Sequence, residues 1–137
     1  MELKKLTKEN IGGRSRKGIA TVSFTQRGLV IMSHKAVTFL ELNPVENNNS
    51  FVDVFEGDIR GEFFISKGTT YLVRRNGVGG AIFNCHSLCS LILEHTWTVM
   101  PHVYSEEIPK ILTFIVCNNP IDDEENAGIF ALLRKKP

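Results

Sequence analysis

Cysteine and histidine side chains are the groups of this 137-residue chain best suited to metal binding or nucleophilic chemistry. Four of them lie close together in the sequence, at Cys85, His86, Cys89 and His95. Thiolate and imidazole ligands suit Zn²⁺, and residues 85 and 89 share one face of a predicted helix. The segment around them is strongly apolar, and its spacing matches no established zinc motif, so buried cysteines acting as small hydrophobic residues explain it better. We therefore expect no metal and no cofactor.

The sequence also lacks a recognisable set of nucleophile, base and orienting carboxylate. Cys85 and His86 are adjacent, but neighbouring side chains on a helix point about 100° apart. The acidic pair 106–107 and the acidic run 122–125 are typical of charged loops. The glycine-rich segment 76–80 lacks the lysine of a phosphate-binding loop and leads into a strand, so its glycines are expected to serve a turn. We expect a protein that is not an enzyme.

Basic side chains are concentrated near the N-terminus, although the net charge of the whole chain is only +1. A basic segment on a nearly neutral body suits an anionic partner, and nucleic acid is the first candidate. Predicted hairpin turns at 26–28 and 74–77 add guanidinium groups that can reach phosphates or base edges. The predicted nucleic-acid-binding residues are Arg14, Arg16, Lys17, Arg27, His34, Lys35, Arg74 and Arg75.

Composition restricts the class of protein further. Hydrophobic residues make up 42% of the chain and the mean hydropathy is −0.04, values typical of a globular protein. No apolar run approaches the ~20 residues of a membrane-spanning helix, and residues 1–6 do not begin a secretory signal. Three cysteines without disulfide-type spacing favour a reducing compartment. We expect a cytoplasmic protein that does not associate with membranes.

The elements that would position these residues follow an order that occurs twice. The first set consists of strands at 19–25 and 29–32, a helix at 33–42 capped by Ser33, and strands at 51–55 and 62–66. The second set consists of strands at 69–74 and 80–83, a helix at 85–95 capped by Asn84, and strands at 110–117 and 127–134. Both sets have the order ββαββ.

The two sets also match residue by residue. Aligning Ser33 with Asn84 brings Gly28 onto Gly79 and Ile31 onto Ile82. Neither set alone has enough large apolar residues for a core, so we expect them to share one. The predicted fold is α+β and mostly β, with two ββαββ repeats in one pseudo-symmetric, barrel-like domain. Its parts are a flexible basic arm (1–17), a first repeat (18–68) and a second repeat (69–137).

This order and the segment 28–42 together resemble the AbrB/SpoVT-type swapped-hairpin DNA-binding domain. That family shows a turn ending in glycine, a strand of the form Gly-x-Val-x-Ile-Pro, a short helix ending in Leu-Gly-Ile or Leu-Gly-Leu, and a closing hairpin. Here residues 28–32 and Leu40-Glu41-Leu42 occupy those places, with Ser33 at the proline position. Two copies in one chain are similar to the arrangement in MraZ-type regulators. The resemblance implies DNA contacts from Arg27, His34 and Lys35, and from residues 74 and 75 by internal symmetry.

The sequence therefore predicts a DNA-binding transcriptional regulator that contacts phosphates through its basic arm and hairpin turns. Two alternatives remain open at this point. One is a non-catalytic protein–protein interaction module, and the other is a single-stranded nucleic-acid binder in which Tyr71 and Trp97 stack on bases. Self-association into a homo-oligomer is compatible with all three hypotheses.

Overall fold

The computed structural model describes residues 19–44, 50–99, 107–117 and 128–134. Of these residues, 44% lie in strands and 21% in helices, which confirms the prediction of a mostly β protein. No helix in these four ranges is both long and apolar enough to cross a membrane.

The elements occur in nearly the predicted positions. The described ranges contain the strands β1 (Thr21–Thr25), β2 (Leu29–Met32), β3 (Phe51–Glu56), β4 (Phe63–Lys67), β5 (Tyr71–Leu72), β6 (Arg74–Asn76), β7 (Gly80–Asn84), β8 (Ile111–Val116) and β9 (Phe130–Arg134). They also contain the helices α1 (His34–Phe39) and α2 (His86–Val99).

Helix α1 is shorter than the predicted range 33–42. Ser33 is its N-cap as expected, because the Ser33 hydroxyl accepts a hydrogen bond of 3.3 Å from the amide of Ala36. The helix ends at Phe39, and Glu41 then takes a left-handed backbone conformation with φ of 54°. The prediction placed the end at residue 42, directly before Asn43-Pro44, but this change in backbone direction stops the helix first.

Boundaries in the second half also differ from prediction, and α2 continues to Val99 instead of ending at residue 95. The predicted strand 69–74 is two short strands, β5 and β6, separated by Val73, which is buried and donates its amide to the Ser50 carbonyl at 2.9 Å. The predicted cap Asn84 is wrong, because this residue ends β7. Cys85 directly precedes α2, and its carbonyl accepts the amide of Cys89 at 3.1 Å.

All nine described strands form one antiparallel sheet in the order β5-β3-β4-β9-β8-β1-β2-β7-β6. The two edge strands, β5 and β6, are neighbours in the chain, so the sheet curls into a nearly closed barrel. Inward-facing side chains alternate along the strands and fill the interior. Phe114 sits in the core, with its ring in edge-to-face contact with those of Phe24 and Phe63.

Candidate nucleic-acid interface

Two of the predicted residues, His34 and Arg75, line one surface cavity of about 490 Å³ between α1 and the β6–β7 turn. His34 begins α1, and its Nδ1 lies 3.3 Å from the carbonyl of Gly79. Gly79 has a φ of 81°, and a Cβ there would collide with the His34 ring, so glycine is required on both grounds. Tertiary packing therefore brings a guanidinium group and an imidazole to one cavity.

The neighbouring Arg74 does not share this cavity. Both arginines lie on β6 rather than in the hairpin turn where they were predicted, because the turn occupies only residues 77–79. Successive side chains on a strand point to opposite sides. Arg74 pairs with the half-buried Ile82, whereas Arg75 pairs with the buried Ala81. The two exposed guanidinium groups therefore leave β6 in different directions.

Arg75 and Lys35 each contact a residue close to them in the chain. The Arg75 Nε donates to the carbonyl of Gly77 at 3.2 Å, which leaves its terminal nitrogens for another acceptor. The Lys35 ammonium group lies 5.3 Å from the centre of the Phe39 ring, a cation–π distance. Residues His34, Lys35 and Arg75 are called the α1 cluster below.

Arg27 lies at the other end of β2, in the exposed turn between β1 and β2. Gln26 in this turn donates its amide to the carbonyl of Lys110 at 2.8 Å, and Gly28 packs against the backbone of His86. Arg27 thus shares its surroundings with two further basic side chains, both exposed. Residues Arg27, His86 and Lys110 are called the turn cluster below.

The two clusters are well separated. Six residues lie between Arg27 and His34, and with a rise of about 3.3 Å per strand residue the two clusters are roughly 20 Å apart. The structure therefore places the α1 cluster and the turn cluster at opposite ends of the β2–β7 pair. The predicted contacts Arg14, Arg16 and Lys17 lie outside the described residues.

The cysteine and histidine residues around α2 have separate environments. Partial burial favours a higher pKa for the Cys85 thiol, but hydrogen bonds from the Ser87 hydroxyl, the Leu88 amide and the Tyr71 hydroxyl outweigh it, and the pKa lies below its usual value. Burial raises the pKa of Cys89. His95 instead contacts Glu56, with Nδ1 and Oε2 2.7 Å apart. Within the described ranges no three metal-ligating side chains come together.

The aromatic residues considered for base stacking are packed against the protein itself. The Tyr71 ring stacks on Phe83 with centroids 5.0 Å apart, and burial raises the pKa of its hydroxyl. The indole nitrogen of Trp97 is enclosed in the protein. Both residues are only partly exposed, with one face of the Tyr71 ring and the indole nitrogen of Trp97 covered by the protein, so they lend little support to single-stranded binding.

Three residues near these basic groups were not among the predicted nucleic-acid-binding residues, although His86 was considered as a metal ligand. His86 and Lys110 join Arg27, and Glu41 lines the same cavity as His34 and Arg75. Lys110 reaches the Arg27 turn through the pairing of β1 with β8, which joins residues far apart in the chain. Of these three residues, only Glu41 could have been noticed from the sequence, because it stands where the resembled family has glycine.

Comparison of the chain with models of protein families, with curated proteins and with solved structures finds no match.

Proposed function

We propose that this chain is a DNA-binding regulator built from two ββαββ repeats, 18–68 and 69–137, in the manner of the AbrB/SpoVT and MraZ-type proteins it resembles. The observation that carries the DNA-binding part is the presence of His34 and Arg75 at one surface cavity. Lys35 follows His34 on α1, and Arg74 leaves β6 on the opposite side of the strand.

Strand order supports the duplication. If β1 is exchanged with the interrupted strand β5–β6, β2 with β7, β3 with β8, and β4 with β9, every neighbouring pair in the sheet becomes another observed pair. The β1–β2 hairpin becomes the β6–β7 hairpin, and the β3–β4 hairpin becomes the β8–β9 hairpin. The remaining pairs exchange in the same way, β1–β8 with β3–β5, or map onto themselves, as β2–β7 and β4–β9 do. This is the behaviour expected of two repeats related by a two-fold axis.

The register of β2 on β7 gives independent support. In a two-fold interface the residue on the axis faces its own equivalent. The alignment that superposes Gly28 on Gly79 also superposes Ile31 on Ile82, and these two isoleucines are direct partners in the sheet. An arbitrary register of β2 on β7 would not be expected to place equivalent residues of the two repeats opposite each other.

Contacts between the hairpins and the helices are also reciprocal. Gly28, which ends the first hairpin turn, packs against the start of α2, and its carbonyl accepts the amide of Cys85 at 2.8 Å. Gly79, which ends the equivalent turn, packs against His34 at the start of α1. Each half thus supports the helix of the other, as swapped hairpins would.

The resemblance itself gains support from the backbone at Glu41. The family has glycine between two apolar residues at the end of its short helix. Glu41 stands between Leu40 and Leu42, both buried, and has φ of 54°, a conformation that favours glycine. The backbone at position 41 therefore has the left-handed conformation expected where the family has glycine.

DNA would be held mainly through its phosphates. Arginine guanidinium groups bind phosphate oxygens in a bidentate manner, and His34 and Lys35 add shorter-range contacts at the same end of β2. The turn cluster supplies a second set of cations about 20 Å away along the strand. Base-edge contacts from Arg74 or Arg75 would provide sequence preference.

The test is equilibrium binding of a fluorescent DNA duplex to the full-length chain, with Arg74→Ala plus Arg75→Ala as the variant. At ~50 mM salt, where electrostatic binding is strong, we expect the double substitution to weaken binding about ten-fold or more. The dependence of log K on log salt should also become shallower by up to about 2, because two phosphate contacts are lost.

A matched control removes the same amount of charge elsewhere. Arg60 and Lys67 are exposed on the β3–β4 hairpin, and Arg60→Ala plus Lys67→Ala should leave duplex binding close to that of the parent protein. Absence of duplex binding at ~50 mM salt would overturn the proposal. Equal losses in both double variants would show that binding depends on total charge and not on the arginines of β6.

A further inference from the structure

A second groove lies at the β3–β4 hairpin, away from both basic clusters. Its volume is about 490 Å³. Apolar walls come from Phe55, Ile59 and Phe64, and carboxylates come from Glu56, Asp58 and Glu62. The groove is at the Glu56 end of β3, whereas β5, which precedes β6, pairs with the Phe51 end. The groove is therefore acidic and apolar, whereas the proposed DNA-contacting surface is basic.

Large apolar side chains are exposed in this groove. Ile59 is 62% exposed and Phe55 is 39% exposed. Hydrophobic residues exposed together and rimmed by polar groups are typical of interaction sites. Ile59 cannot become buried by a local rearrangement, because hydrogen bonds fix the turn that carries it.

The turn is held by a chain of contacts. Gly57 donates its amide to the Glu62 carbonyl at 2.8 Å, and Glu62 donates to the Ile59 carbonyl at 3.1 Å. The Glu56 carboxylate accepts the Gly61 amide at 3.1 Å and contacts His95 of α2 at 2.7 Å. Burial favours a higher pKa for Glu56, but the hydrogen bonds from His95 and Gly61 outweigh it and keep the carboxylate ionised. A groove with fixed walls loses little conformational entropy when a ligand enters.

The charge of the groove restricts its occupant. Asp58 and Glu62 are exposed carboxylates, and Glu56 is held in its ionised form. Arg60 in the same turn is close enough to lower the pKa of Glu56, and this one cation leaves the three carboxylates in excess. Nucleic acid and anionic lipid would be repelled by this rim, whereas a cationic segment with apolar side chains would be attracted to it and would cover Ile59 and Phe55. Charge complementarity and exposed apolar area thus favour the same kind of partner.

We propose that the β3–β4 groove is a docking site for a basic peptide segment of a partner protein in which lysine or arginine alternates with apolar residues. The apolar side chains lie on Phe55 and Ile59, and the cations lie on Asp58 and Glu62. The site gives the protein a protein-binding surface in addition to its proposed DNA-binding surface, and it does not depend on that function.

Fluorescence anisotropy of the full-length chain with a labelled peptide of alternating lysine and leucine tests this site. A lysine–serine peptide of the same charge should bind at least about five-fold more weakly, because it cannot bury apolar surface. Asp58→Asn plus Glu62→Gln should weaken the lysine–leucine peptide about five-fold, and Ile59→Ser about ten-fold. Circular dichroism of each variant establishes that it is folded.

Matched controls use residues of the same type on the exposed face of α2. Glu94→Gln and Leu91→Ser should leave peptide affinity unchanged. The proposal fails if the peptide does not bind, if these controls weaken binding as much as the groove variants, or if the lysine–serine peptide binds equally well. It also fails if the parent chain dimerises in sedimentation equilibrium and Ile59→Ser makes it monomeric, because a second copy then occupies the groove. Duplex binding by the groove variants separates this outcome from failure of the DNA-binding proposal.

Discussion

Glu41 shows how a single residue can carry a backbone conformation that its side chain disfavours. Its φ is 54°, a region where the Cβ of a non-glycine residue approaches its own backbone and costs roughly 1–2 kcal/mol. The conformation lets the amides of Glu41 and Leu42 bond back to the carbonyls of Thr38 and Val37 at 3.1 and 3.0 Å. These bonds satisfy the last carbonyl groups of α1, so the strain is offset by closing the helix end.

We expect Glu41→Gly to stabilise the protein by about 1 kcal/mol, because glycine adopts this conformation without strain. The greater freedom of glycine in the unfolded chain reduces the gain, which keeps the expected figure at the lower end of the range. Urea unfolding of the parent and the variant, with equal m-values, provides the measurement.

Glu41→Gln is the appropriate control for this substitution, since it removes the charge but keeps the Cβ. It should leave the free energy of unfolding close to that of the parent protein. Loss of the carboxylate near Arg75 and His34 would not by itself stabilise the protein, so a glutamine variant as stable as the glycine variant would contradict the backbone explanation.

At the scale of the elements, Asp53 on β3 organises the connection that leads into β5. Its carboxylate accepts the amides of Thr69 and Thr70, both at 2.9 Å, and a Cβ at Gly68 would collide with it. The hydrogen bonds from Thr69 and Thr70 lower the pKa of Asp53 below its usual value of 3.8. This one side chain therefore joins the end of the first proposed repeat to the start of the second.

Asp53→Ala should lower the free energy of unfolding at pH 7 by about 1 kcal/mol, because two amides lose a charged acceptor. The folded-state pKa of Asp53 is depressed, so its contribution is complete above 3.8 and is lost as the pH falls through the folded-state pKa. The difference between parent and variant should therefore shrink below pH 4. Thermal unfolding at pH 7, 5 and 3 measures it.

The exposed Glu94 on α2 serves as the reference carboxylate, with Glu94→Gln expected to change stability little at any of these pH values. A difference between parent and Asp53→Ala that stays constant from pH 7 to pH 3 would contradict the assigned role of the ionised carboxylate.

At the scale of the whole molecule, the two halves are interleaved. The pairs β1–β8, β2–β7 and β4–β9 each join a strand of residues 19–67 to a strand of residues 80–134. Aromatic contacts also cross between the halves, since Phe24 and Phe63 both meet Phe114. Neither half retains its hydrogen-bonded neighbours without the other, so we expect one cooperative unit.

Unfolding in urea should therefore be a single transition whichever half is monitored. Trp97 fluorescence reports on the second half of the parent protein. A Phe39→Trp, Trp97→Phe variant reports on the first half through a residue that stacks on Phe130. In each protein the fluorescence and far-ultraviolet circular dichroism midpoints should coincide, and a fluorescence transition separate from the dichroism would contradict the shared core.

Local patterns were sufficient to predict most elements and the hairpins β1–β2, β3–β4 and β6–β7. The alternation in β1 and β3, the Ser33 cap and the glycine of each turn all act within a few residues, and β1–β2 and β3–β4 pair as neighbours in the chain. The same local patterns misjudged the end of α1 and the position of Arg74 and Arg75. The end of α1 depends on Glu41, a left-handed residue that is not glycine. The position of the two arginines depends on the pairing of β6 with β7, which extends β6 to Asn76.

What the sequence determined by itself is therefore the identity of the strands and helices, because side-chain periodicity and capping are short-range properties. Tertiary structure alone decided the closure of the barrel, the meeting of His34 with Arg75 at one cavity, and the position of Lys110 beside the Arg27 turn. Each of these depends on pairing between segments distant in the chain, such as Ile31 with Ile82. The free energy of that pairing comes from burying both partners together, and neither segment contains this information alone.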